Sequence, residues 1–287
     1  MTSISQVCHV LRTLFEQEAV GLARKAGLRE RTIPFARLAY VLVLGWWTQP
    51  SAGPSALARF AGSLDLDICK QDVDSHFTER TATWLLAVLR RAVQRVVCSQ
   101  PVSLELLRQF TKVLLEDGST VSLPPALKAV WGGAGGNRAT KTSEPKTEAA
   151  VKITLRWDLL GGQLEGPYLQ EGRQHELRSV LHEQDMPAGS LWIADLGYWK
   201  LLCLRQLVKS GVYFLLRYKV GIVLWADNQR LDLLERLPKQ VGERVEWRVE
   251  VGADKRVKGV RLLAERVPEE VVKKRHARAI EEALCPA

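Results

Sequence analysis

The apolar positions of this chain change their period about a third of the way along. Up to about residue 100 they recur at helical spacing. Val7, Val10, Leu11 and Leu14 share one face, with Arg12, Glu16 and Glu18 between them, which predicts an amphipathic helix. Pro34 suits the first turn of a second helix running from Phe35 to Trp47, because proline there forfeits no intrahelical bond. Pro50-Ser51-Ala52-Gly53-Pro54 breaks that run. Ser55 is placed to cap a short helix through Phe60, with Gly62 as its stop. Asp72 to Val97 predicts a long helical stretch, with Trp84, Leu85, Val88, Leu89 and Val96 on the apolar side and Arg90, Arg91 and Arg95 outside. Residues 1–100 are therefore expected to be an all-α N-terminal domain. A plain bundle and a helix-turn-helix-like DNA-binding unit both fit its short helices and tight breaks.

Pro101 marks a boundary, and Leu104 to Phe110 predicts a short helix leading into a strand over Val113 to Leu115. The period then shifts to two. Ala150 to Trp157 alternates apolar and polar residues, Leu160-Gly161-Gly162-Gln163 signals a hairpin, and Leu164 to Leu169 is the return strand. Ser179 to Asp185 can be helical. Leu191 to Ala194 reads as a strand, Tyr198 to Lys209 as a helix stopped at Gly211, and Val212 to Leu216 as a buried strand. Tight turns allow the first three strands to be antiparallel neighbours, whereas the later ones need helical crossovers. This order matches an RNase H-like α/β fold with a mixed five-stranded sheet over residues 101–217. Val223 to Trp225, Val245 to Val251 and Val260 to Ala264 predict a β-rich insertion over 218–266. Pro268 opens a basic C-terminal helix over 267–287, with Glu269 and Glu270 in its first turn.

Two apolar runs end abruptly in an acid and a small residue: Leu114-Leu115-Glu116-Asp117-Gly118 and Leu191-Trp192-Ile193-Ala194-Asp195-Leu196-Gly197. Aspartate after a strand often does no more than make a turn. Two such ends in this strand order have a sharper meaning. The ends of the first and fourth strands would lie side by side, and Asp117 and Asp195 would face each other across one Mg²⁺ or Mn²⁺. Two carboxylates offset the charge of a hard cation and leave positions for water and a phosphate oxygen. Gly118 and Gly197 would let a nucleic-acid backbone come close.

Charge agrees with that reading without requiring it. With 41 Lys+Arg against 32 Asp+Glu, the net charge is +9 and the pI about 9.4, which suits a polyanionic partner. Five scattered cysteines with no CxxC pair give no zinc or disulfide framework and fit a reducing cytoplasmic setting. Leu38 to Thr48 is too short to span a membrane. Arg138, Lys141 and Lys146 lie in a Gly- and Lys-rich stretch and are candidates for DNA phosphate contact, as are Lys273, Lys274 and Arg275. Gly136 to Thr142 lacks the glycine before lysine that a P-loop needs. His175 and His182 have the wrong spacing for a metal pair and read as surface residues. Tyr198 and Trp199 flank the second acid, where a ring could stack on a base, with core packing the expected use of the tryptophan.

At these motifs the chain resembles a known family. Asp117-Gly118-Ser119-Thr120-Val121-Ser122-Leu123-Pro124, followed by Trp131-Gly132-Gly133-Ala134-Gly135-Gly136, resembles the first-acid motif of bacterial DDE transposases of the insertion-sequence-four family. Ala194-Asp195-Leu196-Gly197-Tyr198-Trp199 resembles their second-acid motif, and Arg261 to Arg266 with Pro268-Glu269-Glu270 resembles the end of their β-rich insertion. The resemblance implies metal-dependent cleavage and joining of double-stranded DNA at element ends and target, with a homodimer among the open arrangements. It also implies a third acid, a glutamate framed by Tyr, Arg and Lys on a later helix. Tyr213 and Arg217 have the wrong spacing for that frame, and Glu281 and Glu282 lack it. The expectation is therefore a C-terminally truncated transposase with impaired catalysis. A non-catalytic DNA-binding remnant, or a basic protein with no nucleic-acid role, is the alternative.

Overall fold

A computed structural model describes residues 4–96, 102, 104–133, 147–174, 185–253 and 257–284. The chain divides into two compact units, Met1–Glu183 and Gln184–Ala287.

In the first unit the described elements before residue 97 are helical: α1 (Ile4–Thr13), a π-helical turn (Leu14–Glu18), α2 (Ala19–Lys25), α3 (Phe35–Thr48), α4 (Pro54–Gly62), α5 (Lys70–Asp74) and α6 (Glu79–Val96). They close around Leu14, Phe15, Ile33, Leu38, Leu42, Leu57 and Trp84. The Trp84 indole is buried and donates to the Ala19 carbonyl at 2.8 Å, so the largest side chain of this core leaves no orphaned donor. Four expectations change here. Pro54 itself occupies the first turn of α4, so Ser55 is not its cap. The stretch from Asp72 to Val97 is broken in two, because Thr78 accepts from the Thr81 amide at 3.2 Å and starts α6 afresh. Leu89 is exposed, and Arg90 is not simply outside. Its guanidinium lies 5.0 Å from the Tyr168 ring centre and its Nε donates to the Pro167 carbonyl at 3.1 Å. That tethers α6 to the sheet. Arg91 and Arg95 both pair with Glu18.

A 3₁₀ turn, Glu105–Gln109, leads into β1 (Val113–Leu123). A second, Pro125–Leu127, follows it, and then come β2 (Ala149–Asp158) and β3 (Gln163–Glu171). These three strands are antiparallel in the order β3-β2-β1. The ladder slips between Thr154 and Arg156, opposite Gly166. Gly166 has φ +110°, and a Cβ there would sit 2.9 Å from the Thr154 carbonyl oxygen, so only glycine fits the bend.

The second unit begins with β4 (Leu191–Ala194), a 3₁₀ turn (Leu196–Tyr198), α7 (Leu201–Lys209) and β5 (Tyr213–Leu216). The expected helix from Tyr198 thus starts later, because Asp195 opens the separate turn. Gly211 ends α7 as expected: with φ +70° it donates to the Val208 carbonyl, and Val212 donates to that of Leu207. This is the paired-bond stop that a left-handed residue permits. β4 and β5 are parallel, with Leu191 opposite Tyr213 and Ala194 opposite Leu216. Strands β1 to β5 make up a five-stranded mixed sheet, and the mixed α/β class is compatible with an RNase H-like fold.

The rest of this unit is β6 (Leu224–Ala226), β7 (Gln229–Arg230), α8 (Leu233–Arg236), β8 (Arg244–Val251), β9 (Val257–Glu265) and α9 (Glu269–Leu284). The four strands form a second sheet in the order β7-β6-β8-β9. Asp227 and Asn228, both at positive φ, make the tight hairpin between β6 and β7 that such residues favour. Among the described residues, no helix is long and apolar enough to cross a membrane.

Candidate metal centre

The first acid is not at a strand end. β1 runs on through Gly118 to Leu123 and pairs with β2 without interruption from Leu114↔Asp158 to Leu123↔Ala149. Asp117 therefore sits mid-strand, opposite Leu155. Alternation decides its direction: Leu115, Asp117, Ser119 and Val121 share one face and are exposed. Asp117 Oδ1 accepts from the Gly118 amide at 2.8 Å, which holds the carboxylate close to its own backbone.

The opposite face holds what the sequence did not announce. Glu116 is 1% exposed and Arg156 3%. Arg156 Nε and Nη2 both donate to Glu116 Oε2, at 3.1 and 2.9 Å. Glu165 lies a further 3.9 Å from Arg156. Asp158, also buried, accepts from the amides of Leu160 and Gly161 at 3.1 Å and pairs with Lys112 at 3.9 Å. The buried face of β2 is thus the polar one, with Thr154, Arg156 and Asp158, while Ile153, Leu155 and Trp157 stay half-buried. A buried arginine needs its countercharge, and the register that sets Glu116 against Arg156 supplies it. The only signal in the sequence was that Glu116 and Arg156 fall on the faces opposite Asp117 and Trp157.

The second acid does follow its strand. Asp195 is the residue after β4 and precedes the Leu196–Tyr198 turn. Its side chain is 62% exposed and lies 3.9 Å from Arg217 Nη1, just beyond β5. The indole of Trp199 donates to the Arg217 carbonyl at 2.6 Å. Tyr198 is 1% exposed and packs edge-on against Trp192, ring centres 5.8 Å apart. The tyrosine is therefore the core residue of the two, where the tryptophan was expected to be, and Trp199 is half-buried. The tyrosine ring is buried and has no face open to a base, and the tryptophan is the less buried of the two.

Lys273, Lys274 and Arg275 are exposed on α9, where Lys273 pairs with Glu269 one turn earlier at 3.3 Å. Arg138, Lys141, Lys146, His175 and His182 lie outside the described residues. The helix expected over 179–185 also falls there, apart from its last residue.

The donors at Asp117 and Asp195 are hard carboxylate oxygens that reach solvent, the ligands that Mg²⁺ and Mn²⁺ take. Each taken singly is an open carboxylate and not part of a cage. No group of three His, Cys, Asp or Glu among the described residues is arranged to hold a metal ion.

Both acids lie within residues 108–278, which match the transposase DDE domain family. The chain is 25% identical over 206 residues to the transposase for insertion sequence element IS231F of Bacillus thuringiensis subsp. israelensis, covering 70% of this chain and 41% of that protein. It is 24% identical over 229 residues to the IS231B transposase of B. thuringiensis subsp. berliner, covering 78% and 45%. Against the IS1151 transposase of Clostridium perfringens it is 24% identical over 246 residues, covering 76% and 50%. The chain spans about half the length of the relatives it matches. With the family match extending over more than half of its residues and enclosing both acid motifs, the chain belongs to the transposase DDE domain family.

Proposed function

We propose that this protein acts in DNA transposition, cleaving and joining DNA at insertion-element ends, and that Asp117 and Asp195 are the two acids it contributes. Its RNase H-like core would follow an all-α domain and be followed by a β-rich insertion. The family match over both motifs is the observation that supports the reading most. The solvent-facing position of each carboxylate supports it further.

A bound divalent cation would neutralise charge on the phosphoryl group and on the attacking and leaving oxygens of an in-line displacement. The chain's own part is to present oxygen ligands from rigid elements. Asp117 is fixed by a ladder paired on its β2 side and by the Gly118 amide. Asp195 is fixed by the end of β4 and the turn it opens. The exposed cations of α9, Lys274 and Arg275, suit contact with the DNA backbone.

The test is nicking of supercoiled DNA carrying the element ends. The reading expects Mg²⁺-dependent nicking that disappears in Asp117→Asn and in Asp195→Asn. Retained, salt-dependent binding of the ends without nicking in the unaltered protein would point instead to a DNA-binding remnant. Loss of end binding altogether would remove the DNA role.

A further inference from the structure

The pair at the second acid has a consequence beyond the assignment of Asp195. Arg217 Nη1 stands 3.9 Å from Asp195 Oδ1, within reach of charge attraction but too far for a hydrogen bond. Both side chains are largely exposed, Arg217 at 77% and Asp195 at 62%. Such a pair is weak and easily exchanged. Yet it is not left to chance. The Trp199 indole holds the Arg217 carbonyl at 2.6 Å, and Trp199 ends the turn that Asp195 begins. Arg217 follows β5, whose last residue pairs with Ala194, the residue before Asp195. Two parallel strands and one indole therefore hold the Arg217 backbone beside this carboxylate.

We propose that Arg217 is a positioning residue that competes with the divalent cation for Asp195. It is the carboxylate's countercharge while no metal is bound. When Mg²⁺ or Mn²⁺ takes the carboxylate, the guanidinium is released at the same strand end, where a DNA phosphate is its next anion. An arginine suits that exchange, since it stays charged and its planar fork fits either carboxylate or phosphate. The inference rests on the assignment of Asp195 as a metal ligand.

The experiment is titration of the full chain with Mn²⁺, free ion read by electron paramagnetic resonance, without DNA and at low salt. Arg217→Gln is expected to bind Mn²⁺ about two- to five-fold more tightly than the unaltered protein. Trp199→Phe, which frees the Arg217 backbone, is expected to shift affinity in the same direction by less. Arg217→Lys, which keeps the charge, is expected to stay near the unaltered value. Added NaCl should narrow the gap, because an exposed pair is screened. Unchanged or weaker Mn²⁺ binding by Arg217→Gln would overturn the inference, provided Asp195→Asn weakens binding. If Asp195→Asn has no effect on Mn²⁺ binding, the metal assignment itself fails and this inference with it. Circular dichroism of each variant separates these outcomes from loss of fold.

Discussion

Asp117 and Asp195 reach solvent by different routes, and the difference matters for how each behaves. Asp117 is exposed because of strand parity, Asp195 because its strand has ended. His76 shows the opposite case, a titratable group that the fold covers. It is buried between α5 and α6, and burial pushes its pKa below the ordinary value of 6.5; the charge of Arg31 adds to this and Asp72 opposes it. The folded protein holds this imidazole neutral, whereas the unfolded chain protonates it as pH falls through 6.5. The contribution is fully present above that value and is lost between it and the lower folded pKa. Thermal unfolding between about pH 7 and pH 5 should show a steeper fall in Tm for the natural protein than for His76→Gln. Equal slopes would contradict this. Little at this scale was legible in advance. A lone histidine gives no sign of its burial, and nothing in Asp195-Leu196-Gly197-Tyr198-Trp199 says which ring turns inward. Packing settles it, for Tyr198 meets the buried Trp192 ring in a T-shaped pair.

The elements themselves were more open to reading. β4, the β2–β3 hairpin and the stop at Gly211 follow from alternation and glycine placement, because those signals are local. β1 extends beyond the expected Val113 to Leu115, although Asp117-Gly118 looks like an ending. Pairing with β2 overrides that signal, since ten consecutive ladder partners outweigh one glycine. The buried polar face was out of reach for a related reason. It depends on which residue of β2 stands opposite Glu116, and register is not written in either strand alone. The Glu116–Arg156 pair is also what makes that register costly to change. A slip of one residue would turn Glu116 outward and Asp117 into the buried face. Glu116→Gln, which leaves Arg156 charged inside the sheet, should destabilise the protein by about 3–5 kcal/mol in denaturant unfolding. Replacing the pair together, as Glu116→Leu with Arg156→Met, should cost clearly less, because a buried ion pair gains little over apolar packing. A double variant as unstable as the single one would show that the pair matters for some other reason.

At the scale of the molecule, the two acids come from different compact units: Asp117 from Met1–Glu183 and Asp195 from Gln184–Ala287. Their joint action is the central claim of the proposed function. The most direct measurement is a double-mutant cycle in Mn²⁺ affinity on the full chain, using the natural protein, Asp117→Asn, Asp195→Asn and the double variant. If one cation is shared, each single change should weaken binding by at least about ten-fold, and the double change should cost clearly less than the two losses added together. Single changes that leave Mn²⁺ affinity unaltered, or losses that simply add as for independent sites, would contradict the account.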